Sequence, residues 1–215
     1  MVVSLIQGPS RDQETCDRLV DDFAERTNHK PPELVTTDEH APYKNSLLKT
    51  YGQDYVPRRK GNRGRKPKPR KRPPKGMVYA TVNKTRENGE VVDVDTTLVF
   101  GTQKQLEQAL EKSPVSSTVN TAFVERQNGT ARHLNARKQR KTYSFSKQLL
   151  EHFLMTWLAV FYYNFCWEHR KLRVLVPGPE GEGLYIQRSP AMAADLAHHV
   201  WTVEEFLDWQ VLGGA

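Results

Sequence analysis

Two acidic residues and one cationic run carry the chemistry this chain could perform. Asp38 closes the short apolar run ELVTT at residues 33–37. In an α/β sheet, ligands and catalytic groups gather at the carboxyl ends of strands. A carboxylate placed there can hold Mg²⁺ or Mn²⁺, which take oxygen ligands. Asp is also a common helix cap and turn former, and position alone leaves both roles open. Glu125 lies in NTAFVERQNGTARH. Helical spacing sets Asn128, Gly129 and Arg132 on its face at i+3, i+4 and i+7. That grouping suits a metal and the phosphate it activates, or equally an exposed ion pair with a nearby arginine. Residues 58–75, RRKGNRGRKPKPRKRPPK, hold 11 of the 32 Lys and Arg and no acid. Such a run meets a phosphate backbone through counterion release. It has no aromatic residue on which bases could stack, and a solvated linker is the alternative.

The elements that must position these groups follow from hydrophobic spacing. Residues 2–6 read as a buried strand. Ser10 and Gln13 form a capping box for a helix carrying Cys16, Leu19, Val20 and Phe23. Residues 33–37 form the strand ending at Asp38. Pro42 opens a second helix that closes at Gly52. The cationic run, with four prolines and two glycines, is expected to be disordered or extended. Residues 77–85 and 91–100 form a hairpin through Asn88-Gly89. A helix capped by Thr102 and Gln105 follows, then a helical segment from Thr121 through Glu125. Residues 146–169 predict a long helix with Leu150, Phe153, Leu154, Trp157, Leu158, Phe161 and Phe165 on one stripe. Residues 177–183 are a loop, Ser189-Pro190 starts a helix, and Thr202 with Glu205 caps the last one.

Composition narrows the class. The chain has 215 residues, 32 Lys and Arg against 25 Asp and Glu, and a pI near 9.4. Outside residues 58–75 it has 21 cations against 25 acids, so one segment makes it basic. Two cysteines, Cys16 and Cys166, exclude a disulfide scaffold or a zinc site of cysteines alone. The apolar stretch 153–166 is shorter than the roughly 20 residues that span a bilayer, and residues 1–13 lack the basic start of a signal peptide. The expectation is no membrane, a reducing compartment and a cytoplasmic location. His198-His199 lacks a partner at ligand spacing, and FYYNFCWEH reads as core.

The stretches PELVTTDEHAPYKNSLLKTYG, GMVYATVNKTRENGEVV, VNTAFVERQNGTARHLNARKQRKTYSFSK, YYNFCWEHRKLR and SPAMAADLAHHVW, in this order, resemble bacterial insertion-sequence transposases of the DDE class. The resemblance runs over nearly the whole chain. It implies an RNase H-like (integrase-type) α/β fold whose three carboxylates hold two divalent metals, Mg²⁺ or Mn²⁺, for in-line attack on DNA phosphodiesters at element ends. Asp38 would be the second acid and Glu125 the third. Arg126, Arg132 and Lys138 would contact DNA, together with Arg58, Arg59, Lys60, Arg63, Arg65, Lys66, Arg70, Lys71 and Arg72 of the arm. Element ends and target DNA would be the partners, with an oligomer of like subunits. Residues 1–56 would be a partial core, 57–76 a basic disordered arm, 77–112 an inserted β-hairpin and helix, and 113–215 the helical half of the core.

One departure from the pattern qualifies the activity. The first acid of that family lies on a first strand, and residues 2–6 look like the third. Asp12, Asp17, Asp21 and Asp22 fall at or within a helix. The resemblance therefore implies a truncated core, impaired in catalysis, with a depleted sheet in which residues 2–6 and 33–37 pair with each other or flank a groove. A non-enzymatic DNA-binding remnant, or an unrelated basic nucleic-acid-binding module, is the alternative.

Overall fold

The computed structural model describes residues 1–8, 10–58, 67–113, 116–139, 141, 143–179 and 182–212. The chain is mixed α/β with small sheets. It divides into two compact units, Ser4–Arg126 and Met1–Val3 with Gln127–Ala215.

The first unit runs α1 (Gln13–Arg26), β1 (Leu34–Asp38), α2 (Pro42–Tyr51), β2 (Gln53–Tyr55), β3 (Arg70–Arg72), β4 (Val78–Glu87), β5 (Glu90–Phe100) and α3 (Gln103–Lys112). β1 and β4 are parallel, with Leu34 opposite Val78 and Asp38 opposite Val82. β5 returns antiparallel to β4, giving the order β1-β4-β5. The middle strand is buried from Val78 to Val82. Its alternation sends Tyr79 into a cluster with Val20, Ala24, Leu47, Tyr51, Met77 and Phe100. Val78 and Ala80 go to the opposite side with Leu106. A strand covered on both faces reads as a near-continuous apolar run, which is why MVYATV is so apolar.

The hairpin expected at residues 77–112 forms part of this sheet. Its first strand is the centre of the sheet, because it alone can pair with β1 and bury both faces. Asn88 and Gly89 both have positive φ, 51° and 89°, as a two-residue hairpin loop requires. Beyond Val82 the two strands project with most side chains exposed.

α1 and α2 are joined by polar contacts as well as apolar ones. Asp17 accepts from Ser46 Oγ at 2.7 Å, Gln13 Nε2 at 2.8 Å and Lys49 Nζ at 2.7 Å. Asp21 accepts from Thr50 Oγ1 at 2.6 Å. The cap of α1 is Asp12, which accepts from the Thr15 amide at 2.9 Å. Ser10, expected as the cap, instead donates to Asp12.

Residues 2–6 form no strand, against expectation. Ser4 Oγ donates to Asp22 at 2.5 Å, which ties it to α1. A five-residue apolar run without a neighbouring strand cannot pair its backbone as a sheet. Consequently β1 has β4 on one side and no strand partner on the other among the described residues.

The cationic segment lies inside the crossover from β1 to β4. Residues 59–66 are outside the described residues. The far end is extended but held: Arg70–Arg72 pairs antiparallel with Gln53–Tyr55. Lys71 Nζ donates to the Lys49 carbonyl at 2.9 Å, near the carboxyl end of α2, where the helix dipole favours a cation. The Arg72 guanidinium sits 5.7 Å from the Tyr55 ring centre. The disordered arm expected at 57–76 is thus corrected at residues 70–72.

α4 (Ala122–Leu134) carries the division between the units, at Arg126/Gln127. In the second unit follow a 3₁₀ turn Ala136–Lys138, α5 (Leu149–Phe161), a π turn Tyr162–Cys166, β6 (His169–Pro177), β7 (Gly183–Arg188), α6 (Pro190–Ala193) and α7 (Val203–Leu212). Phe161 stacks on Phe165 and Phe206, and Phe165 meets Trp201 with ring centres 5.0 Å apart. Asn164 is buried, and its amide pairs with both backbone groups of Val2, at 3.0 and 2.8 Å.

Two expectations change here. The stripe on α5 is not buried as one: Leu150, Leu154 and Leu158 are exposed, while Thr156 and Val160 face inward. The carboxyl-terminal part is not wholly helical, because β6 and β7 form an antiparallel hairpin. Leu172, Val174 and Val176 are half-buried between exposed Arg173 and Leu175, an alternation of period two. No helix among the described residues is long and apolar enough to cross a membrane.

Tyr79 tests the two-faced core. It is 1% exposed, and its hydroxyl lies 2.8 Å from Thr37 Oγ1. Y79A is expected to destabilise by about 3–5 kcal/mol through the cavity left behind. Y79F should cost only about 1 kcal/mol, since Thr37 keeps its bond to the Asp38 carbonyl. Denaturant unfolding of the two variants measures the difference.

Candidate functional site

The site is built at the carboxyl end of the β1–β4 parallel pair. Asp38 is the last residue of β1 and is exposed. It does not cap α2, whose N-cap is Ala41 without a side-chain bond. Its Oδ2 accepts from Arg11 Nη2 at 2.6 Å. Arg11 precedes α1, so the ion pair ties the start of that helix to the strand end.

Glu125 stands in the first turn of α4. Its Oε1 accepts from Lys84 Nζ at 2.7 Å and from Thr121 Oγ1 at 3.2 Å. Lys84 belongs to β4, two residues past Val82, the register partner of Asp38. Strand spacing and rise put the α-carbons of Asp38 and Lys84 about 8 Å apart. Lys84 thus tethers Glu125 to the strand end where Asp38 lies, although 86 residues separate the two acids in sequence. The two carboxylates have no common hydrogen-bond partner among the described residues. The field of Asp38 reaches Cys16, Tyr43 and Tyr79, whereas Glu125 answers to Lys84 and Arg86.

The remaining early acids are engaged in the fold. Asp12 caps α1, and its carboxyl is lowered to about 2 by its bonds to Ser10 and to Thr15. Asp17 is held below the usual carboxylate range by Lys49, despite partial desolvation. Asp21 binds Thr50, and Asp22 binds Arg26 and Ser4.

Asp38 and Glu125 each offer hard, solvent-accessible oxygens, the ligand type that Mg²⁺ and Mn²⁺ prefer. No group of three or more His, Cys, Asp or Glu that could hold a metal occurs among the described residues. The carboxylates required for two metals are thus not assembled by these residues.

The cationic residues expected to meet DNA fall into distinct settings. Arg58, Arg70, Lys71 and Arg72 are exposed. Arg59, Lys60, Arg63, Arg65 and Lys66 lie outside the described residues. Arg126 is exposed on α4, and Arg132 is half-buried in its last turn. Lys138 is half-buried in the 3₁₀ turn, and desolvation pushes its pKa down. His199, one of the paired histidines, binds Glu205 at 2.8 Å.

Arg11 and Lys84 are the site residues that sequence reasoning missed. Nothing local marks either: one sits in a loop, and the other is a lysine on an exposed stretch of strand. Only the β1–β4 register brings Lys84 to the site. Comparison with protein-family models, with curated proteins and with solved structures finds no match.

The Lys84–Glu125 pair makes a titration prediction. The Lys84 ammonium, with help from Thr121 and Arg86, holds the Glu125 carboxyl below its ordinary range. A carboxyl lowered on folding adds stability above its unfolded pKa of about 4.3. That contribution disappears as pH falls through the lowered value. Since Glu125 is 53% exposed, the contribution is a few tenths of a kcal/mol. In K84A the Glu125 carboxyl is expected to titrate higher, read by carbon NMR of its side chain, and stability should change little.

Proposed function

We propose that this chain is a DNA-acting protein with an RNase H-like core of the DDE transposase type. In this reading Asp38 and Glu125 are its divalent-cation ligands and the cationic segments hold DNA. The observation that supports it is that Asp38 ends the parallel strand β1, while Glu125 is bound by Lys84, two residues past the register partner of Asp38 on β4. Parallel strands between helices, with a carboxylate at the strand end, are where an α/β sheet presents its chemistry.

A divalent cation held there supplies Lewis-acid activation of a phosphodiester and of the attacking oxygen. The chain's own residues do the rest. Arg11 and Lys84 balance the charge of the two carboxylates, and both cations can turn to an incoming phosphate. Arg58, Arg70, Lys71 and Arg72 flank the crossover that leaves this strand end, so a duplex gripped by the arm is tethered to the same unit as the acids.

The second reading, DNA binding without strand cleavage, is favoured by one specific feature. Each carboxylate is already paired to its own cation, and no third carboxylate joins them among the described residues. We therefore assign the chain DNA and metal binding, with strand cleavage impaired.

Manganese tests the acid pair. Mn²⁺ is expected to broaden the NMR signals of Asp38 and Glu125 at low concentration. D38N and E125Q should each abolish that effect while leaving the fold intact, and nicking of plasmid DNA by the wild-type chain should stay at background. Broadening spread over other acids instead would remove the assignment, and D38N-sensitive nicking would restore a competent enzyme.

Salt tests the arm. If most of its 11 cations meet phosphates, affinity for duplex DNA should fall on the order of 10³-fold or more between about 50 and 200 mM salt. Deleting residues 58–75 should remove most of that slope, measured by fluorescence anisotropy.

A further inference from the structure

The β6–β7 hairpin carries a cationic surface that the acid pair and the arm leave unused. Between His169/Arg188 and Val174/Ile186 the register shifts: four residues of β6, Arg170 to Arg173, stand against Gln187 alone. A bulge of this kind bends its strand and re-aims side chains. Arg188 fills it from within, since its Nε donates to the Leu172 carbonyl at 2.7 Å. Leu172 turns inward, and Arg170, Lys171 and Arg173 are left exposed.

These three cations and Tyr185 line an open concavity of about 550 Å³. The Arg173 guanidinium lies over the Tyr185 ring, 4.0 Å from its centre. That contact fixes an otherwise floppy side chain and leaves a half-exposed aromatic beside a row of cations. Among the described residues, no acidic side chain lines the concavity. Same-face residues of an extended strand recur about every 6.6 Å, so Lys171 and Arg173 form a repeating row along one edge.

We infer that this hairpin face binds single-stranded DNA, with backbone phosphates on Arg170, Lys171 and Arg173 and a base stacked at Tyr185. A row of cations that tracks a backbone beside an aromatic platform is how single strands are held without sequence preference. Arginine adds a planar fork that matches phosphate oxygens. The arm cannot supply stacking, because residues 58–75 have no aromatic side chain. The inference rests on the reading of the chain as DNA-acting and gives that reading a separate surface for an unpaired strand.

The test uses the full chain and a fluorescein-labelled oligothymidylate, titrated by anisotropy over a range of salt. R170A/K171A/R173A is expected to lower the log–log salt slope by about 2, from roughly 0.7 per phosphate contact. Y185A should weaken binding about 5- to 100-fold, the loss of one stacked base, while Y185F keeps it. R170K/R173K preserves charge and should keep the slope, which separates lost contacts from lost folding. Far-UV circular dichroism checks that each variant is folded.

An unchanged slope and affinity in the folded triple variant would overturn the inference. If deleting residues 58–75 then removed the slope, the wider DNA-binding reading would stand without this surface. No binding of oligothymidylate or duplex by the wild type would sink both. Displacement by polyglutamate as readily as by oligothymidylate would make the partner an acidic protein, and the assignment of a nucleic acid would fail.

Discussion

Burial of β4 on both faces is the constraint from which the first unit follows. Val78 and Ala80 are covered from the side of Leu106, and Tyr79 from the side of α1 and α2. A strand with apolar groups on both sides must have helices above and below it, and a neighbour on each edge for its backbone. β1 and β5 are those neighbours. Once β1 is parallel to β4, the chain needs a long crossover between them, and that crossover holds α2 and the cationic segment.

The same pairing decides the electrostatics of the candidate site. Asp38 ends β1 because the apolar run stops there, and β4 continues past it as a partly exposed strand. Lys84 comes two residues after the last buried position, at the height where β1 has finished. A lysine there can reach a carboxylate that no longer has a strand between them, and α4 supplies Glu125. Arg11 does the equivalent for Asp38 from the loop before α1. Each of the two exposed acids is thus paired with its own cation. By contrast Asp17 and Asp21 are spent on Ser46, Lys49 and Thr50, which fix α1 on α2.

Charge in the second unit is organised by backbone irregularity. The π turn at Tyr162–Cys166 brings Asn164 inward to bond the Val2 backbone. The bulge in β6 turns Leu172 in and three cations out. A regular helix or ladder would have distributed these residues over alternate faces.

By itself the sequence determined the elements whose signals are local. The helices at residues 13–26, 42–51 and 103–112, the Asn88-Gly89 turn, the Thr102 and Thr202 capping boxes, and the strand closing at Asp38 all follow from spacing, caps and turn residues within a few positions. Glu125 on a helix was legible for the same reason. Tertiary structure decided what depends on partners far along the chain. Residues 2–6 have strand composition but no strand to pair with; Val2 bonds Asn164 and Ser4 bonds Asp22 instead. Residues 77–100 read as a detachable hairpin, because a hairpin signal is local and parallel pairing with β1 is not. The α5 stripe split because neighbouring elements, not helical period, choose which face is covered. β6 lies past the helix expected at residues 146–169, in a part expected to be mainly helical, and the irregular register blurs the period-two pattern of HRKLRVLVP. The pairing of Glu125 with Lys84 on β4 joins residues 41 apart, a long-range fact that no window of sequence contains.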